Sequence, residues 1–314
     1  MIKDTINRLE RFPVGAIATT VGACTLANAF LLLNFTYLRN IFMIIGIIVF
    51  ILATIKIFKH KEAFLAEYSS TIPASLYGTY SMLAMIIGAF LFPYSPFLGK
   101  NLWLFGVFFH TFAICIFTYR NVIKDFKIDT FVPSWFVTYN GIMVSIVVGG
   151  SMNEPVISKW VLIYGIAIFF IIIPFMIRRL IIKPLPDMVY HTKAILLAPS
   201  SLCTVGYLNV VKNPNIYIAF LLYAIVFITL ISILLSIPKF FSFDFHPGFA
   251  GTTFPMAIGT VASFRMSAYL TSLNLLNYSD IIRNIAGIQL YVTTGIIVFV
   301  FYNFLKKIKP TPIK

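Results

Sequence analysis

The strongest constraint on this chain is a rhythm of apolar runs, each about 20 residues long, separated by short polar breaks along nearly all of its 314 residues. An α-helix needs a run of that length to cross a hydrocarbon core roughly 30 Å thick at about 1.5 Å per residue. Read between breaks, the runs fall near 13–33, 38–58, 73–92, 101–119, 133–150, 159–178, 191–210, 216–237, 248–272 and 283–305, which makes ten. Inside lipid every backbone polar group needs an internal partner, so only helices or closed barrels cross it, and these runs lack the alternation of barrel strands. The expected fold is all-α and integral to a membrane. Composition agrees: 60% of residues are hydrophobic, 11% are charged and the mean hydropathy is +0.93, which a water-soluble domain could not carry.

No linker or soluble insertion interrupts the runs, so residues 1–314 read as one transmembrane domain. It comprises an amphipathic stretch 1–12, spans from about 13 to 305 and a basic tail 306–314. The opening "MIKDTINRLERF" has no apolar core followed by a small-residue cleavage site, so a short interfacial helix is expected there and no signal peptide. Of the 24 lysines and arginines, eighteen fall at the termini and in the breaks after even spans. Five (Arg39, Lys100, Lys159, Lys212 and Arg283) fall on the opposite side, and Arg265 lies inside a span. Basic residues accumulate on the cytoplasmic side, so a multi-pass protein of the cell (inner) membrane with both termini in the cytoplasm is expected. An even number of spans agrees. Cys24, Cys115 and Cys203 sit inside apolar runs without CxxC spacing; they read as small buried packing residues, with no disulfide framework and no metal site.

Odd and even runs differ in kind. Even runs such as "IFMIIGIIVFILATIKIF" are bulky throughout, as helices facing acyl chains should be, whereas odd runs such as "PVGAIATTVGACTLANA" and "APSSLCTVGYL" are rich in Gly, Ala, Ser and Thr. Small residues permit close helix contact, which alone would give a tightly packed inner bundle. The alternative is that hydroxyls and exposed backbone line a polar path, where irregular helix geometry is tolerated. Each odd run also carries a proline in its cytoplasmic half: Pro13, Pro73, Pro133, Pro199 and Pro255. Their spacing of roughly 60 residues marks one helical hairpin per repeat, and so five inner helices ringed by five outer ones. Pro13, Pro73 and Pro133 suit helix starts; Pro199 and Pro255 sit deeper and are expected to kink their helices.

Four segments, "RFPVGA", "VPSWFVTYNG", "LAPSSLCTVGYL" and "HPGFAGTTFPMAIGTVAS", taken with the hairpin repeat, resemble the tellurite-resistance/dicarboxylate transporter family. That family includes bacterial TehA-type proteins, the plant guard-cell slow anion channels, and yeast malate and sulfite transporters. The resemblance covers about residues 12–305, and the chain is similar to the short prokaryotic members. It implies ten transmembrane helices as five hairpins in a pseudo-five-fold arrangement, odd helices inside, and a homotrimer in which each subunit has its own pore. It also implies that Phe254, in "TFP", lies across that pore as its gate. Arg265, eleven residues beyond, has no clear family counterpart.

The residues themselves favour an anion path. Odd helices that start in the cytoplasm point five N-termini at one mouth, and a formal net charge of +14 has the same sign. No Lys, Asp or Glu falls in the middle of a span, so the throat should be neutral, bind anions weakly and pass small monovalent ones such as nitrate or chloride. Eight of the ten acidic residues lie on the cytoplasmic side, leaving no obvious ionisable coupling site at membrane depth. Small residues whose spacing suits inward faces are Thr19, Gly22, Thr79 and Asn140 in the first, third and fifth spans, and Ser200 and Thr204 in the seventh. In the ninth span the same reading takes in Gly251, Thr253, Gly259 and Thr260, with Gly251 and Gly259 permitting the bend that aims Phe254 inward. Such residues also serve as helix glue. Arg265 is either an anion exit site or a snorkelling helix-end cation; His110 is either a proton relay or a packing histidine. The expected partners are the lipid bilayer and small inorganic or carboxylate anions, without cofactor, metal or nucleic acid. A passive channel leads; a secondary carrier of dicarboxylate, sulfite or tellurite-related anions is the alternative. An enzyme ranks last, since no span pairs a nucleophile with a base.

Overall fold

The structure, a computed structural model, describes residue 7, residues 9–31 and residues 33–308, the side chains of 307 and 308 excepted. Much of the amphipathic opening and of the basic tail therefore lies outside the described residues. Every element among these is helical. Eight helical stretches are long and apolar enough to cross a membrane.

The first hairpin is α1 (Val14–Leu31) and α2 (Thr36–Lys59), followed by the short polar α3 (Lys61–Ser69). The second pairs α4 (Thr71–Leu76) and α5 (Gly78–Leu91) with α6 (Pro96–Thr118), which runs on into a π-helical turn. In the third, α7 (Trp135–Asn140) and α8 (Val144–Val148) are joined by a 3-10 turn and return through α9 (Pro155–Ile182). A 3-10 segment, Asp187–Leu196, leads into α10 (Leu197–Val210), which pairs with α11 (Ile216–Leu234). The short α12 (Ile237–Phe240) and a second 3-10 segment, Pro247–Thr252, precede α13 (Thr253–Ser272) and α14 (Leu276–Ile308). The two odd runs outside the eight stretches, the seventh and ninth, are thus helical too, but α10 has only 14 residues and the 20 residues of α13 are rich in Thr and Ser.

Composition sorts the two kinds of helix by depth. In the three odd stretches of membrane length, 72–83% of the residues are buried, against 22–39% in the five even ones. The odd segments also close a cycle: α1 packs on α5, α5 on α8, α8 on α10, α10 on α13, and α13 on α1. Lipid tails give no hydrophobic drive between helices, so such contacts rest on close backbone approach and polar bonds. A Cβ on Gly99 would lie 2.5 Å from the Phe92 Cα, so only glycine allows α6 to meet the end of α5 there. His110 on α6 joins three segments, its Nε2 2.8 Å from the Thr138 carbonyl and its Nδ1 2.8 Å from the Ser81 hydroxyl. Both ring nitrogens have packing roles.

Turns repeat as well. Asn34, Asn153 and Asn274 adopt left-handed backbone (φ 67°, 52° and 58°) where an odd segment gives way to its even partner. Asparagine is among the few residues that tolerate this conformation, and the bonds Phe35 N–H to Phe30 O and Leu275 N–H to Leu270 O close helix ends of Schellman type. At the other end of the molecule, Lys56, only 1% exposed, donates to the Phe12 carbonyl and to Glu67, which also accepts from the Tyr77 hydroxyl. This joins α2, α3 and the residues just before α1 and α5. Nearby in type, an exposed pair between Lys183 and Asp129 holds the loop before α7 to the end of α9, and the Lys183 ammonium keeps the Asp129 carboxyl below its ordinary range. Cys24 and Cys203 are buried as expected; Cys115 is not, being exposed on α6, where 22% of the residues in the apolar stretch are buried.

Candidate functional site

Two cavities are lined by the odd segments and share one residue. The larger, about 300 Å³, takes its lining from α1, the start of α2, α5, α8, α10 and α13. The smaller, about 20 Å³, is bounded by α1, α4–α5, α7 and its following 3-10 turn, the 3-10/α10 segment and the 3-10/α13 segment. That is room for about one water. All five odd segments contribute to both, and one residue, Phe254, belongs to both linings. Its ring is 6% exposed.

Local structure explains how Phe254 comes to stand there. It is the second residue of α13, directly after the 3-10 segment Pro247–Thr252, and Pro255 follows in the first helical turn, where a missing N–H costs no helical hydrogen bond. Against it lies Gly22 of α1: a Cβ there would sit 2.7 Å from the Phe254 backbone nitrogen and 2.8 Å from Thr253. The two helices touch backbone to backbone at this point. Beyond Phe254, one face of α13 continues into the larger cavity through Ile258, Val261 and Arg265, the i, i+4, i+7, i+11 row of a single helical stripe.

The small polar residues divide into two groups. Thr79 and Gly251 line the smaller cavity, as does Pro255. Thr19, Gly22, Asn140, Ser200, Thr204, Thr253, Gly259 and Thr260 line neither. Their polar groups are engaged in packing: the hydroxyls of Thr19, Ser200, Thr204, Thr253 and Thr260 donate to carbonyls three or four residues earlier, and Asn140 donates to the Gly165 carbonyl of α9. A Cβ on Gly259 would press to 2.8 Å from Leu197, so this glycine lets α13 and α10 close together. Among the prolines, Pro13 precedes α1, Pro73 lies in the first turn of α4, and Pro133 lies two residues before α7. Pro199 and Pro255 are each the third residue of an α-helix that a 3-10 segment precedes. Pro174, which the sequence pattern did not single out, is inside α9.

Electrostatically the two cavities differ. The smaller has no charged side chain in its lining, only apolar groups with Thr79. The larger has two, Arg39 and Arg265, and no carboxylate. Arg39 did not stand out in the sequence because it sits at the start of an even helix, among residues that read as an interhelical break. Its Nε donates to the Asn28 side chain at 3.2 Å and its guanidinium lies over the Phe90 ring, 5.1 Å from the centroid. Arg265, by contrast, stood out in the sequence as a charge inside a span, eleven residues beyond Phe254. Among the described residues no group of three or more His, Cys, Asp or Glu side chains could hold a metal ion.

Membrane-length helices around two cavities that share one residue, the smaller uncharged and the larger lined by two arginines, are compatible with a membrane conduit for anions. The sequence model of the SLAC1 family, voltage-dependent anion channel, matches residues 11–305, and the chain belongs to that family. It is thereby a multi-pass membrane protein of an anion channel and transporter family, as the resemblance to TehA-type proteins and plant slow anion channels implies. No curated protein matches the chain.

Proposed function

We propose that this chain is a gated channel that conducts small monovalent anions passively, with Phe254 as the plug between two chambers. The reading takes the five hairpins as ten spans in a pseudo-five-fold ring, with the odd segments around the path. Its main support is that cavities built from the same five segments meet at one aromatic side chain. A ring across a passage that otherwise admits about one water excludes hydrated ions by bulk and by keeping the constriction dry. The neutral walls beside it bind no anion tightly, so transit is fast once the ring moves. The resemblance adds a homotrimer with one path per subunit, both termini in the cytoplasm and a place in the cell membrane.

Replacing Phe254 by alanine merges the chambers, and purified Phe254→Ala in planar bilayers is expected to carry nitrate and chloride currents at least severalfold above wild type. Currents equal to wild type would remove the gate assignment. A second reading, a carrier of dicarboxylate, sulfite or tellurite-related anions, draws on the two arginines of the larger cavity. Saturable flux without single-channel events in Phe254→Ala would favour it.

A further inference from the structure

We propose that Arg39, together with Asn28 and the hydroxyls of Thr25 and Ser151, forms a binding site for a planar oxyanion in the larger cavity. The proposal rests on the path described above but concerns other residues of the larger cavity than the plug.

The argument begins with the unspent valence of one side chain. A guanidinium has five N–H donors in a plane. In Arg39, Nε is used by the Asn28 carbonyl oxygen and one face is covered by Phe90. The two terminal nitrogens make no hydrogen bond or ion pair among the described residues, although the residue is only partly exposed and the Tyr94 phenol acts on it electrostatically. No carboxylate lines the cavity that Arg39 faces. A half-buried cation with no counter-ion is costly unless something anionic visits it, and its apolar surroundings, among them Met43 and Val144, strengthen any attraction by lowering the local dielectric.

The geometry also selects the kind of anion. With Nε held by Asn28, the guanidinium plane is fixed and its end presents two parallel N–H bonds, the fork that matches two oxygens of a planar oxyanion such as nitrate or a monocarboxylate. A halide meets the same fork at a single point. Further donors are at hand: the hydroxyls of Thr25 and Ser151 line the same cavity and have no hydrogen-bond partner among the described residues. Arg265, exposed on the same lining, supplies a second positive charge without a carboxylate partner among those residues. A cavity of about 300 Å³ leaves space for the ion together with several waters, which keeps binding weak enough for release.

The test measures binding without conduction. Detergent-purified protein is unfolded thermally in sodium nitrate and in sodium chloride of equal ionic strength. Nitrate is expected to raise the wild-type Tm above its value in chloride. Arg39→Gln is expected to abolish the nitrate-specific increment. Asn28→Asp keeps the fold and offers Arg39 a permanent counter-ion, so it should abolish the increment as well, and it serves if Arg39→Gln fails to fold. In bilayers, in the Phe254→Ala background, Arg39→Gln is expected to lower the nitrate-to-chloride permeability ratio severalfold. An equal nitrate increment in wild type and in Asn28→Asp overturns the site. A nitrate increment that depends on Arg39, in a protein whose Phe254→Ala variant stays closed, keeps the site and overturns the plug.

Discussion

At Gly22 a missing side chain determines where an aromatic one stands. The Phe254 backbone nitrogen would lie 2.7 Å from a Cβ placed on Gly22, nearer than atoms can approach, and the obstacle is backbone rather than a flexible side chain. Gly22→Ala must therefore push α13 away from α1 at the position of the ring. Overpacking of this kind costs about 1–3 kcal/mol, so a Tm several degrees below wild type is expected and, under the gate proposed for Phe254, a raised basal anion current as well. A variant as stable and as closed as wild type would mean that α1 does not set the ring's position. The sequence marks Gly22 as a small residue on an inward face, and the structure finds its smallness used against α13 instead. That difference is physical: spacing along a helix shows which residues share a stripe, but the identity of the surface opposite depends on a contact between residues more than 200 positions apart. Arg39 was hidden for the same reason, since Asn28 and Phe90, which fix it, come from two other segments. Phe254 and Arg265 were singled out from the sequence, whereas Ile258 and Val261, which join them in one helical stripe, emerged with the cavity lining.

Among elements, the repeated unit is an inner segment, a tight turn and an outer helix; the first inner segment is one continuous helix and the later four are interrupted. Alternation of small and bulky runs made the inner and outer assignment legible, because a helix facing lipid can be bulky all round while one packed on four neighbours cannot. What composition could not show is how the inner segments break. At 3-10 stretches before α10 and α13, and between α7 and α8, the backbone changes winding instead of kinking within a single long helix. The turn that follows each of three inner segments is more uniform. Asn274 at φ 58° ends α13 and carries the chain into α14. Alanine has no side-chain oxygen to support a left-handed backbone, so Asn274→Ala is expected to destabilise by about 1 kcal/mol, whereas Asn274→Gly should cost little or nothing. The measurement is the Tm of the two variants side by side. Equal losses would trace the effect to the amide's own contacts and not to the turn.

For the whole molecule, the formal charge of +14 and the distribution of charge within the ring have to act together. The smaller cavity has no charged lining and the larger has two arginines, so close to the ion the only fixed charges are positive. Farther out, the basic surface of the chain raises anion concentration and lowers that of cations near its mouths. These two contributions respond differently to salt. Surface charges act through solvent and fade as the Debye length falls from about 10 Å at 0.1 M to about 3 Å at 1 M, whereas partly buried charges are screened much less. Anion-over-cation selectivity in Phe254→Ala, read as the reversal potential under a potassium chloride gradient, is therefore expected to decline between those concentrations yet remain clearly anionic. Removing the half-buried Arg39 charge together with the exposed Arg265 in Arg39→Gln/Arg265→Gln should leave the low-salt selectivity largely in place and abolish what survives at high salt, a part that rests on Arg39. If the double variant stays as selective as its parent at 1 M, the discrimination resides in the neutral throat itself, in backbone and hydroxyl dipoles, and not in the guanidinium groups of the wide chamber.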